Sequence, residues 1–328
     1  MQPALTSPFS IGDVEISNRV LLAPLAGIGN WFVRLQARRH GAGLTVSEMV
    51  SSFAIRHDNE RTLREMLRIH PDEHPVSVQL FGHDPEVMLG AASTVAAAGA
   101  DLVDLNMGCP VPKVCKTGAG AALLRDPDLA VAVAAAAIEG SGLPVTVKLR
   151  SGLEPGDRSG FELALRLAGA GVAAICFHPR PATVHHSGTP DYGLAADLAS
   201  RLEIPMVISG GLQTADAARR AYSESGADAV MIARGALGSP WIFEQLTGAR
   251  TEAPTRAEII AELCWVLDRA EEHWGGERAA RNLRKFYPWY LEQLGISGPE
   301  ADAYQRTASL DEVRAMLDRV RGEASLSA

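Results

Sequence analysis

The sequence predicts an α/β fold, a (β/α)8 TIM barrel with a C-terminal all-helical domain. The chain has 328 residues, of which 47% are hydrophobic and 21% are charged, and this is enough apolar material for a large core. Short apolar runs alternate with helical segments from residue 19 to residue 247, and no strand-like run follows. Barrel strands are buried on both faces, so they form continuous apolar runs rather than alternating ones.

Eight strand segments recur at fairly even intervals. They are Arg19–Ala23, Gly43–Ser47, Val76–Phe81, Leu102–Asn106, Val145–Leu149, Ala173–Phe177, Met206–Ser209 and Ala229–Ala233. The helical segments between and after them are Trp31–His40, Pro85–Ala98, Pro127–Glu139, Gly160–Ala170, Leu194–Leu202, Thr214–Ser225 and Pro240–Leu246. Glycines at positions 99, 171 and 226 end three of these helices as C-terminal caps. An open doubly wound sheet is less favoured, because the glycine-rich fingerprint after its first strand is absent.

The pattern divides the chain into a barrel domain, residues 1–247, and a helical domain, residues 248–328. In the second part Ala257–Trp274, Glu277–Leu294 and Leu310–Arg321 have the spacing of amphipathic helices. The stretch 248–254 is the expected linker.

Several classes of protein are disfavoured by composition. Apolar stretches such as Val131–Ile138 are far shorter than the roughly 18–20 residues that span a bilayer, and the first residues do not resemble a signal peptide. The four cysteines form neither a CxxC pair nor a zinc spacing, so we expect free thiols and no metal. The net charge of −8 argues against a general nucleic-acid coating protein but allows a local basic groove. We therefore expect a cytoplasmic protein with no membrane partner, and the sequence implies no protein partner.

Reactive groups of a barrel cluster at the carboxyl ends of its strands, and these ends are unusually polar here. The residues concerned are Gln79, Asp104, Asn106, Cys109, Lys148, Arg150, His178 and Arg180. Glycine-rich turns follow the seventh strand, at Ser209-Gly210-Gly211, and the eighth, at Ala233-Arg234-Gly235. Such turns bind phosphate with backbone N–H groups, and an arginine adds a charged clamp. The sequence therefore indicates a phosphorylated cofactor or substrate.

Lys148 and Cys109 are the strongest candidates for chemistry. Only four of the 31 basic residues are lysines, which makes a lysine inside a strand unexpected. Lys148 can be a Schiff-base nucleophile or a fixed positive charge beside a developing anion. Cys109 lies between Gly108 and Pro110 in a loop at the barrel mouth, where a thiol can be a nucleophile or a proton donor.

These residues resemble the flavin-dependent tRNA-dihydrouridine synthase family. The similar segments are Leu22–Gly27, Ser47–Val50, Val78–Gly82, Asp104–Pro110, Lys113 with Gly118–Ala121, Val147–Arg150, Ala233–Ala236, Arg284-Lys285 and Trp289–Leu291. The Asn-x-Gly-Cys-Pro element together with the lysine of the fifth strand is the specific part. The phosphate-binding turns alone would be shared with many barrels.

The resemblance implies bound FMN, NADPH as its reductant and tRNA as the substrate. Hydride would pass from flavin N5 to C6 of a uracil extruded from the RNA, and Cys109 would protonate C5. The implied flavin contacts are Pro24, Leu25 and Ala26 along the ring, Gln79 at its polar edge, Lys148 near N1, His178 at the ring or ribityl side, and Ser209, Gly210, Gly211, Ala233 and Arg234 around the phosphate. The implied substrate contacts are Asn106 and Arg180 at the base and Arg281, Arg284 and Lys285 at the RNA backbone.

Two departures from the family keep alternatives open. The turn after the seventh strand is Ser209-Gly210-Gly211, where the family usually has Asn-Gly-Asp. The loop after His178 reads Pro179-Arg180-Pro181-Ala182 and lacks a second basic residue. An FMN-dependent ene-reductase of the same family, acting on a small molecule or on ribosomal RNA, is therefore the alternative. A non-catalytic RNA-binding factor is less favoured, because the polar strand ends are intact.

Overall fold

The computed structural model describes residues 2–326 and contains a closed barrel of eight parallel strands. The described residues form eleven strands, of which eight make the barrel: β1 (Phe9–Ile11), β2 (Val14–Ile16), β3 (Val20–Leu22), β4 (Leu44–Val46), β5 (Val50–Ser51), β6 (Val76–Phe81), β7 (Leu102–Met107), β8 (Val145–Arg150), β9 (Ala174–His178), β10 (Met206–Ser209) and β11 (Ala229–Ile232). Strands β3, β4 and β6–β11 pair in order, and pairing of β11 with β3 closes the ring. The predicted barrel class is confirmed, and every predicted strand overlaps a barrel strand.

Several short elements of the barrel domain were not predicted, among them β1, β2, β5 and the helices Ser52–Arg56 and Pro112–Cys115. The antiparallel pair β1 and β2 precedes the barrel, and its Ile11 and Ile16 are buried in one cluster with Leu21, Leu44 and Leu102. These last three residues begin or lie near the start of barrel strands, so the hairpin packs against the amino end of the barrel interior. Each hairpin strand has only three residues, too few for a recognisable alternating pattern.

The helices follow the strands in the expected alternation. They are α1 (Trp31–Arg39), α2 (Ser52–Arg56), α3 (Pro85–Ala97), α4 (Pro112–Cys115), α5 (Pro127–Ser141), α6 (Ser159–Gly169), α7 (Tyr192–Ala199), α8 (Ala215–Ser225) and α9 (Trp241–Thr247). Side chains of Asn30, Asp84, Asp126, Asp191 and Thr214 accept from the first turns of α1, α3, α5, α7 and α8. Gly99, Gly171 and Gly226 have φ of +92°, +92° and +62°, which confirms the predicted glycine ends.

Contacts divide the chain into two compact units. Met1–Gly235 and Ile242–Ala249 form one unit, and Ala236–Trp241 and Arg250–Ala328 form the other. The helices of the second unit are α10 (Arg256–Trp274), α11 (Gly276–Leu283), α12 (Tyr287–Gln293), α13 (Gly298–Arg306) and α14 (Leu310–Leu326). Within residues 2–326, no helix is long and apolar enough to cross a membrane.

The predicted continuous helix Glu277–Leu294 is wrong, because the chain forms α11 and α12 with a break between them. Pro288 lies in the first turn of α12, where its missing N–H leaves no intrahelical bond unmade. Inside a continuous helix, the proline ring would meet the carbonyl of Arg284. The helix α13 was not predicted.

Side-chain alternation in the strands determines what lines the barrel. On β7, Leu102, Asp104 and Asn106 lie on the same face, and Leu102 belongs to the apolar cluster inside the barrel. The same alternation continues through Thr146, Lys148 and Arg150 on β8 and through Ala174, Cys176 and His178 on β9. The interior is therefore apolar toward the amino ends of the strands and polar toward the carboxyl ends.

Candidate active site

The carboxyl ends of adjacent strands bring the predicted site residues of the barrel to one edge. Asn106 on β7 is in register with Lys148 on β8, which is in register with Cys176 on β9. Arg150 and His178 form the next pair along the same two strands. Gln79, Ser209 and Ala233 occupy the corresponding ends of β6, β10 and the turn after β11.

The loop that carries Cys109 is held at several points. The N–H groups of Gly108 and Cys109 donate to Asn106 Oδ1 at 3.3 and 2.9 Å. The Cys109 carbonyl accepts from the Ala121 N–H at 3.0 Å and from Cys115 Sγ at 3.2 Å. The backbone that positions the Cys109 thiol is therefore anchored on both sides.

The Cys109 side chain is partly buried, and this controls its protonation. Burial raises the pKa of the thiol above its ordinary value of 9.0, although a hydrogen bond from the Val111 backbone and the charges of Arg150 and Lys148 act in the opposite direction. The thiol therefore stays protonated at neutral pH. This state suits a proton donor better than a nucleophile.

A buried carboxylate lies beneath this loop. Asp104 is fully buried and accepts from Gln79 Nε2 at 2.6 Å and from Thr146 Oγ1 at 2.5 Å. Gln79 in turn accepts from Asn106 Nδ2 at 2.9 Å. Burial raises the pKa of Asp104 to about 6, although both hydrogen bonds and Lys148 oppose the rise.

Lys148 ends among polar groups of neighbouring strands. Its Nζ donates to Ser209 Oγ at 3.2 Å, and Ser209 Oγ also lies 3.4 Å from the Phe177 carbonyl. Burial lowers the pKa of Lys148, and Asp104 partly restores it. Lys148 Nζ is thus a hydrogen-bond donor at the barrel mouth, held by a hydroxyl of the strand two places along.

His178 is buried and neutral. Burial, followed by the positive charges of Lys148, Arg150 and Arg180, strongly lowers its pKa. Arg180 Nη1 lies 3.2 Å from His178 Nε2, and since a guanidinium can only donate, Nε2 is the acceptor. The ring of His186 stacks on His178 with centroids 6.2 Å apart. Burial and then Arg234 lower the pKa of His186 to about 4.

Two buried arginines organise the loop after β9. Arg150 donates to the carbonyls of Pro181 and His185 at 3.0 and 2.7 Å. Arg180, only 6% exposed, donates to the Gly188 carbonyl at 3.1 and 2.7 Å. Burial and the neighbouring Arg180 lower the pKa of Arg150 to about 10, which still leaves it charged at neutral pH. The expected base-reading residue Arg180 therefore has its guanidinium bonded to its own loop.

The two glycine-rich turns pack closely against other parts of the site. Gly210 has φ of +95°, and a Cβ there would lie 2.3 Å from Nε2 of His178. Tyr192 Oη donates to the Gly210 carbonyl at 2.8 Å and would lie 2.8 Å from a Cβ on Gly211. Arg234 begins a short 3-10 turn after β11 and is exposed.

The segment after β3 also lines the site. Leu25 is buried, Pro24 is partly buried and Ala26 is exposed. Glu48 Oε2 accepts from the Gly27 N–H at 2.8 Å, which holds this segment near the end of β4. Glu48 belongs to the Ser47–Val50 segment but had no predicted role.

The predicted RNA contacts of the helical unit differ in exposure. Arg281 is exposed and 3.9 Å from Glu277. Lys285 is exposed and lies 5.8 Å from the ring centre of Phe286. Arg284 is partly buried and donates to the Thr307 carbonyl at 3.4 Å.

Sequence reasoning assigned no role to Asp104, Thr146 or Arg150, and His186 had no predicted partner. The strand period provides a signal for the first three, because each lies two residues from a predicted site residue on the same strand and so shares its face. No such signal exists for His186, which reaches His178 through an irregular loop. Among residues 2–326, no group of three or more potential metal ligands converges.

Comparison with known proteins identifies the family. A family model described as dihydrouridine synthase (Dus) matches residues 21–321. The tRNA-dihydrouridine synthase B of Xanthomonas campestris pv. campestris is 36% identical over 288 residues, which cover 86% of this chain and 86% of that protein. A probable tRNA-dihydrouridine synthase 1 of Synechocystis sp. is 34% identical over 331 residues, covering 97% of this chain and 91% of that protein.

Solved structures agree at the level of the fold. Morphinone reductase superposes with a TM-score of 0.56 at 18% identity, over 79% of this chain and 93% of that chain. The old yellow enzyme homologue from Zymomonas mobilis gives a TM-score of 0.58 at 16% identity, over 78% of this chain and 96% of that chain. The family match over residues 21–321 and the curated relatives confirm the resemblance, and the chain belongs to the dihydrouridine synthase family of oxidoreductases.

Proposed function

We propose that this protein is a cytoplasmic tRNA-dihydrouridine synthase that reduces the C5=C6 bond of specific uridines with FMN and NADPH. The observation with the greatest weight is the Cys109 loop, which two N–H bonds to Asn106 Oδ1 anchor at the barrel mouth; burial raises the pKa of its thiol, which favours the protonated form. The relatives named as tRNA-dihydrouridine synthases support RNA as the substrate.

The residues around the mouth fit FMN. Burial lowers the pKa values of His178 and His186, and the cationic set of Lys148, Arg150, Arg180 and Arg234 lowers them further, as expected of a site suited to an anion. At Gly210 a Cβ would lie 2.3 Å from His178 Nε2, so only glycine fits this turn, and its backbone N–H groups would bind the phosphate. Ser209, Gly211 and Ala233 would complete the phosphate cradle. Pro24, Leu25 and Ala26 would flank the ring.

Each of four side chains at the barrel mouth would have its own role in the reaction. When bound and reduced by NADPH, FMN supplies the hydride. Lys148 would place a positive charge near the polar edge of the ring, and Gln79 would bond that edge with the Nε2 hydrogen and the Oε1 lone pair that Asp104 and Asn106 leave unused. Cys109 would donate its proton to C5 of the uracil. Asn106 holds the Cys109 backbone, and its second Nδ2 hydrogen, now 3.6 Å from Met49 Sδ, would hydrogen-bond the base edge. The uridine must leave its stack to reach this pocket.

The test uses purified protein loaded with FMN. Wild type with NADPH and unmodified tRNA is expected to form dihydrouridine, whereas Cys109→Ala keeps the flavin spectrum and loses about 10²- to 10⁴-fold in rate. Cys264→Ala changes a thiol on α10 of the helical unit and is the matched control. NADPH oxidation without dihydrouridine across a complete tRNA pool would contradict the proposal.

One observation favours a second candidate, an FMN-dependent ene-reductase of small molecules or of ribosomal RNA. Arg180 is buried and bonded to Gly188, which leaves the base-reading role without this cation. In that case, NADPH oxidation would be stimulated by small activated alkenes or by ribosomal RNA rather than by tRNA.

A further inference from the structure

A directed chain of hydrogen bonds connects the Cys109 backbone to Asp104. The Cys109 N–H donates to Asn106 Oδ1 at 2.9 Å. Asn106 Nδ2 donates to Gln79 Oε1 at 2.9 Å, and Gln79 Nε2 donates to Asp104 Oδ2 at 2.6 Å. Thr146 Oγ1 donates to the other carboxylate oxygen at 2.5 Å. Every donor in the chain therefore points toward the carboxylate.

The direction of this chain is not determined by shape. Each amide has a donor end and an acceptor end of nearly equal size, so a turned Gln79 would fill the same space. A turned Gln79 would present its NH2 group to that of Asn106. Asn106 would then have to turn as well, and its NH2 group would face the N–H of Cys109, two donors without an acceptor.

An ionised carboxylate removes this ambiguity, because it can only accept hydrogen bonds. We propose that Asp104 is a positioning residue that orients the amides of Gln79 and Asn106 and thereby holds the backbone of Cys109. The inference rests on the proposed function in that Cys109 is the proton donor. Asp104 is 0% exposed and would touch neither the substrate nor the flavin.

The energetics of Asp104 agree with a role in orientation rather than stability. The side chain is 0% exposed, and burial raises its pKa to about 6, so ionisation at neutral pH costs folding free energy. The titratable groups near it are Lys148 on β8 and Cys176 on β9. A buried carboxylate that costs folding free energy is therefore consistent with a role in fixing the direction of the hydrogen-bond chain.

A double-mutant cycle on Asp104 and Thr146 isolates this effect. Asp104→Asn alone keeps the direction, because the new amide can offer its oxygen to Gln79 and its NH2 group to the Thr146 hydroxyl, which rotates to accept. Thr146→Val alone keeps it because the carboxylate remains. In the double variant the amide at position 104 has no acceptor at position 146, so neither orientation satisfies every group. The direction of the chain is then no longer determined, and orientations in which position 104 presents its NH2 group to Gln79 become populated.

Hydrogen exchange of the apo protein measures the outcome at the loop itself. A peptide covering 106–112 reports the amides of Gly108, Cys109 and Val111, since Pro110 and Pro112 have none and the first two positions lose their label. Two of these three amides donate to Asn106 Oδ1. We expect both single variants to match wild type within about twofold and the double variant to exchange about tenfold faster, as for loss of one hydrogen bond.

A third substitution supplies the rescue. Adding Gln79→Glu to the double variant places a carboxylate that accepts from the amide at position 104 and from Asn106 Nδ2, so slow exchange is expected to return. If the double variant does not fold, Gln79→Leu cuts the same chain and is expected to give the same acceleration.

Unchanged exchange in the double variant or in Gln79→Leu, equal acceleration in a single variant, or no rescue by Gln79→Glu would overturn the inference. None of these measurements needs FMN or tRNA. A wild-type protein that forms no dihydrouridine would therefore refute the proposed function, whereas the positioning role of Asp104 would still be decided by the exchange rates alone.

Discussion

Gly210 and His178 are in such close contact that a Cβ on Gly210 would lie 2.3 Å from the ring nitrogen Nε2. The glycine also has φ of +95°, a conformation that other residues rarely adopt. The turn after β10 and the ring at the end of β9 are therefore fitted to each other at the proposed phosphate cradle. Any side chain at position 210 has to displace one of them.

Gly210→Ala is expected to weaken FMN binding by about tenfold or more, or about 1.4 kcal/mol, because His178 or the turn must move. Fluorescence titration of FMN measures the effect. Gly226→Ala is the matched control, since Gly226 has φ of +62° but open space around an added Cβ. Equal FMN affinity of the two variants would contradict the assignment of this turn.

Arg234→Ala is expected to raise the Kd for FMN by about 10- to 100-fold, as for loss of a charged hydrogen bond worth about 1.5–3 kcal/mol. Riboflavin lacks the phosphate, so its affinity is expected to stay the same in this variant. The two titrations side by side separate a phosphate contact from general damage. A parallel loss of riboflavin binding would place Arg234 elsewhere in the site.

The rate of dihydrouridine formation is expected to stay level from pH 7 to pH 9 and to fall above that range. Burial raises the pKa of Cys109 above 9.0, so the thiol loses its proton only in alkaline solution, and a deprotonated thiol cannot act as an acid. Single-turnover rates across pH 6–10.5 give the profile. Cys109→Ser is the comparison, because a residual rate through a hydroxyl should lack this alkaline fall.

Asp104→Asn is expected to gain stability relative to wild type as the pH rises from 4 to 7. The folded pKa of Asp104, about 6, exceeds the ordinary 3.8, so the folded state binds the extra proton and loses stability as that proton leaves. The difference amounts to at most about 3 kcal/mol in the free energy of unfolding. Thermal melts of both apo proteins at pH 4.5 and pH 7.5 test it. If Asp104→Asn is less stable relative to wild type at pH 7.5 than at pH 4.5, the ionised carboxylate stabilises the fold and the prediction is wrong.

The three basic residues proposed to contact RNA are expected to separate into two groups. Arg281→Ala with Lys285→Ala should weaken tRNA binding and reduce its salt dependence without changing stability, because both side chains are exposed. Arg284→Ala should also lower the free energy of unfolding by about 1 kcal/mol, because it removes a hydrogen bond to the Thr307 carbonyl. Gel-shift titrations at two salt concentrations and thermal melts measure these effects. Arg306→Ala, an exposed arginine paired with Asp302, is the control.

The barrel strands were predictable because burial on both faces leaves continuous apolar runs that need no tertiary information. The polar residues at their carboxyl ends, such as Gln79, Lys148 and His178, followed from the same pattern. The β1–β2 hairpin and the break before Pro288 were not predicted. The hairpin was missed because three-residue strands are too short to show an alternating pattern. The break was missed because the apolar spacing of α11 continues into α12, so that the two helices have the pattern of one long helix.

The sequence by itself determined the barrel, the helical unit and the edge at which the candidate chemistry lies, because hydrophobic period and glycine placement are local properties of the chain. Only the tertiary structure decided what each polar side chain bonds to. Arg180 donates to its own loop at Gly188, His186 stacks on His178, and Asp104 orients Gln79. Such partners come from distant positions, and in a buried site the direction of each hydrogen bond depends on which group cannot donate, a property of the assembled network rather than of any segment.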